Sequence, residues 1–316
     1  MTPIPDYGYI PDVVQAADAR KRGVKSDRDI MLELAAPWDA TDIPPVADWS
    51  SYADVLDEYS GQYPSARIVN PWWQHCDVGK LFVPSQGSMP NCAGFAMSNA
   101  YMTTLISQIA RQFSEQVPTR MNPMAAWMVS KGGSTSGGQT ISAIATTGNR
   151  WGNCPASLIG EYDDGRRLDY MRVKSYAEDA GKHQIGISLY EGASDALPGS
   201  VVKACRMGRS VIVGNSVAVR GADKDGNGLL CARLGGYWSH ATAFAGYIRV
   251  GTTDYVFWIN SHGNIYPTDG TPAFGAWMDY PTLQRFLGGQ YSDAAFVTYA
   301  EAPYNPSLKP TLVLGA

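Results

Sequence analysis

The sequence changes its periodicity part-way along the chain, and this change constrains the fold more than any other feature. From position 91 to about 113, apolar residues recur every three or four positions, as on the buried face of one helix. Later segments are rich in β-branched and aromatic residues, which predicts strands at 210–219, 241–248, 255–260 and 295–299. Helices in the front half and strands in the rear half predict an α+β fold rather than a helical bundle.

Composition narrows the class of protein further. With 316 residues, 45% of them hydrophobic and 17% charged, the chain can bury a sizeable core as one two-lobed unit or two modest domains. The net charge is −4 and no block of Lys or Arg occurs, so a nucleic acid is not an expected partner. No apolar run reaches the roughly 18 residues of a membrane span, and the N-terminus lacks the features of a signal peptide. We expect a protein without a membrane partner, cytoplasmic or assembled into a particle.

A cysteine begins the strongest predicted helix. Asn91 follows a proline and is a credible N-cap, which places Cys92 in the first turn. Cysteine is a nucleophile only as the thiolate, which the positive end of a helix and a nearby imidazolium both favour. Other helices are predicted at 13–22, at 26–36, at 140–147 with Gly148 closing it, and at 200–207 with Gly208 closing it.

A histidine and an asparagine complete the candidate site. Of the four histidines, His240 stands at the head of an apolar strand, which would fix its backbone. Asn260 ends the next predicted strand and can hold the imidazole in one tautomer through its carbonyl oxygen. Gln86 and the backbone N–H of Cys92 could donate to an oxyanion. These residues predict acyl transfer to a sulfur nucleophile.

Three segments resemble the papain family of cysteine peptidases. They are the Gln-to-Cys segment at 86–95, the histidine strand at 239–247, and the Asn-Ser segment at 260–263. The resemblance implies a papain-like fold of two lobes, one helical and carrying the cysteine, the other β-barrel-like and carrying His and Asn. It also implies that Cys92 is the nucleophile, His240 the general acid/base, Asn260 its orienting partner and Gln86 an oxyanion donor.

The same resemblance implies boundaries along the chain. Residues 1–45 are expected to form an N-terminal extension, and 46–300 the papain-like domain. Within that domain we expect a helical lobe at about 85–195, a β-rich lobe at about 196–300, and an insertion at about 50–84. Residues 301–316 contain several prolines and are expected to form an extended tail.

A pair of glycines is the weakest part of the resemblance. Gly137 and Gly138 are similar to the glycines that bind the substrate backbone in papain-like enzymes. Glycine pairs are common, so this substrate-binding role rests on the family pattern alone.

Several positions depart from the family pattern. Met89 stands where a disulfide cysteine is usual, which fits a reducing environment, and Ala93 stands where Trp is usual. His262 replaces the Trp that covers the Asn–His hydrogen bond. We therefore expect that bond to be wetter and weaker here, which would lower catalytic efficiency.

The remaining motifs have structural interpretations. Cys76, Cys154, Cys205 and Cys231 show no zinc spacing and are expected to be inert thiols. The segment 223–228 begins like a calcium loop but lacks the final Glu, so a hairpin turn is favoured. His75 and His183 are expected to be structural, and the aromatic pair Trp72-Trp73 to be buried. No metal site or cofactor is predicted.

Three functions remain open from the sequence. The first is hydrolysis of a peptide or protein substrate, or a related amide, through an acyl-enzyme. The second is a structural or assembly protein, in a viral or other particle, which keeps the fold and uses both termini as docking arms. The third is an amidase that acts on cell-wall peptides, although Asn260 and Gln86 fit the peptidase pattern better.

Overall fold

The computed structural model describes residues 9–22, 66–69, 72–110, 118–134, 136–163, 170–178, 183–266 and 270–300. The helices are α1 Asp12–Lys21, α2 Val78–Leu81, α3 Cys92–Ala110, α4 Pro123–Ser130, α5 Ile141–Trp151, α6 Ala156–Ile159, α7 Tyr170–Glu178, α8 Leu197–Arg206 and α9 Tyr280–Leu287, with a 3-10 turn at Trp72–His75. The strands are β1 Ala66–Val69, β2 Ile185–Leu189, β3 Val211–Lys224, β4 Leu230–Val250, β5 Thr253–Ile259, β6 Gly275–Asp279 and β7 Ser292–Ala300.

One sheet joins all seven strands. Its order is β2-β7-β3-β4-β5-β6, with β1 paired to β4 and a further contact between β4 and β6 that partly closes the sheet. The neighbouring pairs are antiparallel; the β4–β6 contact is parallel. Strand β4, 21 residues long, therefore contacts β1, β3, β5 and β6. A residue on β4 is held from both sides, which suits a side chain that must not move.

Alternation along the strands divides the core into two layers. On β3, Ile212 faces the layer that contains α3, α4 and α5, whereas Val211 and Val213 face the layer that contains α8 and α9. Successive side chains of a strand point to opposite faces, so both faces of the sheet are covered by helices. The predicted α+β class is confirmed, with the long helix α3 buried against the sheet.

Helix α3 is buried around almost its whole circumference. All but two of its residues, Gln108 and Ile109, are buried. Gly94 lets α4 approach, since a Cβ there would lie 2.3 Å from the carbonyl oxygen of Pro123. The start of the helix is thereby fixed between another helix and the sheet.

The predicted end of the second long helix was wrong. Helix α5 begins as expected after Thr140, whose side chain accepts from the Ala143 N–H at 3.0 Å, but it continues past Gly148 to Trp151. Gly148 serves close packing, because a Cβ there would lie 2.8 Å from Ile187. Gly152, with φ of 69°, ends the helix instead.

Other predictions have mixed outcomes. The helices near 13–22 and 200–207 and all four predicted strands are confirmed, within a few residues or extended at their ends. The 223–228 segment is the hairpin turn between β3 and β4, and Trp72 and Trp73 are buried. All five cysteines lie among the described residues, and none forms a disulfide. The helix at 26–36 and the tail at 301–316 fall outside the described residues, and the domain boundaries stay predictions.

Within the part of the chain that the structure describes, no helix combines the length and the apolar character needed to cross a bilayer.

Candidate active site

Cys92 is the first residue of α3. The N–H of Phe95 donates to the carbonyl of Asn91 at 3.1 Å, so the first helical hydrogen bond spans the cysteine. The Cys92 side chain is fully buried, and its sulfur accepts from the backbone N–H of Ala241 at 3.3 Å. Both this donor and the positive end of α3 favour negative charge on the sulfur. The nucleophile candidate therefore lies against the residue that follows His240.

His240 and Asn260 meet across neighbouring strands. His240 lies on β4, Asn260 directly follows β5, and the His240 Nε2 to Asn260 Oδ1 distance is 2.7 Å. The Asn260 Oδ1 also accepts from the Ser261 N–H at 2.8 Å, while its Nδ2 donates to the Tyr266 hydroxyl at 3.3 Å. Because Oδ1 can only accept, this network assigns the proton to Nε2. Nδ1 is then the basic nitrogen of the ring.

Gln86 ties the cysteine segment to the asparagine segment. Its backbone N–H donates to the Ser261 carbonyl at 2.8 Å, and its Oε1 accepts from the Ser261 hydroxyl at 2.6 Å. The Gln86 Nε2 donates to the Met89 carbonyl at 2.8 Å, and the Gln86 carbonyl accepts from the Tyr162 hydroxyl at 2.6 Å. Gln86 is thus buried in a network that connects the loop before Cys92 with the residue after Asn260.

His262 stacks on His240. The two ring centroids are 4.4 Å apart, with 25° between the planes, and Trp238 packs edge-on against both rings. His240 and Asn260 are at most 1% exposed. The expectation of a wetter Asn–His bond was therefore wrong, because His262 and Trp238 together shield it.

Burial lowers the pKa of both stacked histidines. The pKa of His240 is held well below its usual value, first by burial and then by the neighbouring His262, although the Asn260 hydrogen bond opposes this. Burial lowers the pKa of His262 to about 4. In this conformation both rings are neutral at pH 7, so the site without substrate presents a neutral base.

Acid should destabilise the fold through His262. Between about pH 4 and pH 6.5 the unfolded chain binds a proton at this position and the folded chain does not, so stability falls as the pH falls through that window. The His262→Phe variant should remove about 2 kcal/mol of this loss between pH 7 and pH 4.5. Urea unfolding at several pH values measures the slope.

In the His262→Phe variant, the slope of unfolding free energy against pH should decrease but not vanish, because burial also lowers the pKa of His75 and His240. If His262→Phe has the same pH dependence as the wild type, His262 does not carry this effect.

Tyr9 lies beside the candidate site. Tyr9 forms a parallel bridge with Gln139, directly after the Gly137-Gly138 pair, and its carbonyl accepts from the hydroxyl of Ser239, which precedes His240. The Gly138 carbonyl accepts from Lys131 Nζ at 2.8 Å. The glycine loop and the histidine strand are therefore joined through Tyr9.

Sequence reasoning missed Tyr9 and the residues that surround its ring, Gly214 and Asp293. Tyr9 stands outside any periodic pattern, and Asp293 lies near the end of the chain. No local signal in the sequence connects positions so far apart, so only the folded chain reveals them.

Comparisons with known proteins give a likeness in structure alone. No family model matches the sequence, and no curated protein matches it. Solved structures similar to the chain include procathepsin L 3 of the Tenebrio molitor larval midgut, with 14% identity, a TM-score of 0.49, and coverage of 92% of this chain and 87% of that one.

Two further solved structures are also similar to this chain. Procathepsin B S9 from Trypanosoma congolense has 10% identity, a TM-score of 0.44, and coverage of 94% of this chain and 99% of that one. The Carica candamarcensis cysteine protease CMS1MS2, in complex with E-64, has 13% identity, a TM-score of 0.43, and coverage of 76% and 100%. These are papain-like cysteine proteases, the family that the sequence motifs resemble.

Proposed function

We propose that the chain is a papain-like cysteine hydrolase that cleaves peptide or related amide bonds through a Cys92 acyl-enzyme. One observation carries the proposal: the Cys92 sulfur lies on the amide next to His240, whose Nε2 is bound to Asn260. A nucleophile, a base and an orienting acceptor in this order are the parts that thiol catalysis needs. The papain-like motifs support the peptidase reading over a cell-wall amidase.

The chemistry follows from the assigned tautomer. The Cys92 thiol proton passes to Nδ1 of His240 as the sulfur attacks the carbonyl carbon. Nε2 keeps its own proton, which stays hydrogen-bonded to Asn260 Oδ1. The backbone N–H of Cys92 and the amide of Gln86 are the proposed donors to the oxyanion. The imidazolium then protonates the leaving amine and a thioester forms. His240 next deprotonates a water molecule, which hydrolyses that thioester.

Labelling with a thiol-directed epoxide tests the nucleophile. The experiment uses a Cys231→Ala background, because that thiol is partly exposed. We expect the label at Cys92, since burial raises the pKa of Cys76 and of Cys154 to about 12 and raises that of Cys205 as well. Those thiols are protonated at pH 7 and react slowly. Mass spectrometry of the digested protein locates the modified cysteine.

The His240→Ala variant provides the control. It should label at least about tenfold more slowly, because the base that forms the thiolate is gone. Labelling that prefers another cysteine, or that ignores the loss of His240, contradicts the proposed site.

A second candidate function has its own observation. Cys92 and His240 are both 0% exposed, and the Tyr9 carbonyl is bonded to Ser239, the residue before His240. A closed site suits a structural or assembly protein, in a virion or another particle, that keeps the fold without turnover. Cys92 would then stay unlabelled both in the wild type and in the Tyr9→Ala variant. Sedimentation of the purified chain distinguishes a monomer from an assembly.

A further inference from the structure

Tyr9 is anchored at both its backbone and its side chain. The N–H of Ile10 donates to the Gln139 carbonyl at 3.0 Å, and the Tyr9 carbonyl accepts from Ser239. The phenol hydroxyl donates to the carboxylate of Asp293 in a short hydrogen bond. Tyr9 is only 2% exposed. A residue near the start of the chain thus makes contacts with three distant parts of the molecule.

A glycine forms one wall of the space that holds the ring. A Cβ built on Gly214 would lie 2.1 Å from the Tyr9 ring, so any other residue at this position would fill the space. Gly214 pairs with Asp293 on β7 and with Ala241 on β4. The wall, the carboxylate and the amide that contacts the Cys92 sulfur are therefore neighbours in one row across the sheet.

The carboxylate at the base of this space accepts two hydrogen bonds. One comes from the Tyr9 hydroxyl, and the other from the backbone N–H of Asp12 at 2.8 Å. Asp12 is itself buried, and its Oδ1 accepts from the Ser142 hydroxyl at 2.6 Å. A half-buried carboxylate favours a partner that can donate, since an apolar end group would remove one of its two hydrogen bonds.

We propose that the space bounded by Gly214 and Asp293 is a specificity pocket for a tyrosine side chain of a bound peptide, and that Tyr9 occupies it from within the same chain. This deepens the proposed function, on which it rests, by naming a substrate class: peptides with tyrosine beside the bond to be cut. The flat ring fits against glycine, and the phenol supplies the donor that Asp293 requires. The N-terminal segment competes with such peptides for the site.

Binding to a variant without chemistry tests the pocket. In the Cys92→Ala/Tyr9→Ala double variant, N-acetyl-tyrosinamide should bind in the space that the Tyr9 ring leaves. A single-residue probe is needed because Ile10 and Asp12 keep their own contacts in this variant. The phenylalanine probe should bind about tenfold more weakly, the usual effect of one lost hydrogen bond to a charged group. The alanine probe should bind about 100-fold more weakly, because the ring contact is lost too. NMR titration measures the affinities.

Two substitutions in the protein identify the pocket. Adding Asp293→Asn to the double variant should reduce the difference between the Tyr and Phe probes to less than about threefold. Adding Gly214→Ala should abolish binding, whereas Gly221→Ala on the same strand should not, since a Cβ there meets nothing closer than 3.5 Å. Thermal unfolding shows that each variant is folded.

The outcomes separate this inference from the proposed function. If no probe binds, if the probes bind equally whatever their side chain, or if N-acetyl-argininamide binds more tightly than the Tyr probe, the pocket is overturned even when Cys92 is labelled normally. If the Tyr preference is found but the Tyr9→Ala variant is neither labelled nor active, the pocket stands and the hydrolase fails. When both hold, Tyr9→Ala should label at least about tenfold faster than the wild type, because a bound competitor has been removed.

Discussion

The Cys92→Ala variant should hydrolyse peptide amides at least about 10⁴-fold more slowly than the parent chain, with its folding unchanged. The substitution removes a buried sulfur that accepts a hydrogen bond from Ala241 and leaves the backbone of α3 unchanged, so we expect the loss to fall on the chemistry. Without the nucleophile no acyl-enzyme forms, and the neighbouring His240 has no thiol to deprotonate. The measurement compares steady-state hydrolysis of a tyrosine-containing peptide in the wild-type and Tyr9→Ala backgrounds.

Cys231→Ala is the matched control, because that cysteine lies partly exposed on β4, away from His240. Its rate should stay within about twofold of the parent, as for most changes outside a site. The assignment of the nucleophile is contradicted if both variants lose the same fraction of the hydrolysis rate. It is also contradicted if Cys92→Ala hydrolyses the peptide at close to the parental rate.

The Gly94→Ala variant should be less stable by about 2–3 kcal/mol. Helix propensity alone predicts the opposite sign, since Ala is favoured over Gly by about 1 kcal/mol inside a helix. The new Cβ would lie 2.3 Å from the Pro123 carbonyl oxygen and 3.0 Å from the Trp127 Cβ, and backbone atoms cannot move away cheaply. The cost of this clash therefore exceeds the gain in helix propensity. Chemical denaturation measures the change in the free energy of unfolding.

Gly226→Ala provides the comparison, because a Cβ there would have no atom within 4 Å. Its stability should stay within about 0.5 kcal/mol of the wild type. A Gly94→Ala variant as stable as the parent would show that α3 and α4 can separate without cost.

Sequence reasoning succeeded where the signal is local. The helix at Cys92 follows from spacing and a preceding N-cap type, and the strand at His240 from its residue types. Gly148 misled it, because the sequence cannot say whether a glycine ends a helix or makes room for Ile187. The stacking of His262 depends on Trp238, a contact between side chains on separate segments, so the shielding of the Asn–His bond could not be foreseen.

The contacts of Tyr9 could not be predicted from the sequence for the same reason. They depend on the register of β3 against β7, which places Gly214 opposite Asp293. Register is set by the whole sheet and by no motif within either strand. The four candidate residues of the papain-like pattern could thus be singled out from the sequence, while the contacts of Tyr9 could not.

The position of β4 at the centre of the sheet has a consequence for the order in which the candidate site assembles. As a ribosome makes the chain, the helix with its thiol emerges about 150 residues before the imidazole, and the strand that carries the imidazole needs later segments on one flank. Distant pairings of this kind form late, because closing long loops costs entropy before the contacts compensate. A nascent or half-folded chain accordingly carries the thiol apart from the imidazole, and the two groups meet only once most of the polypeptide has been made.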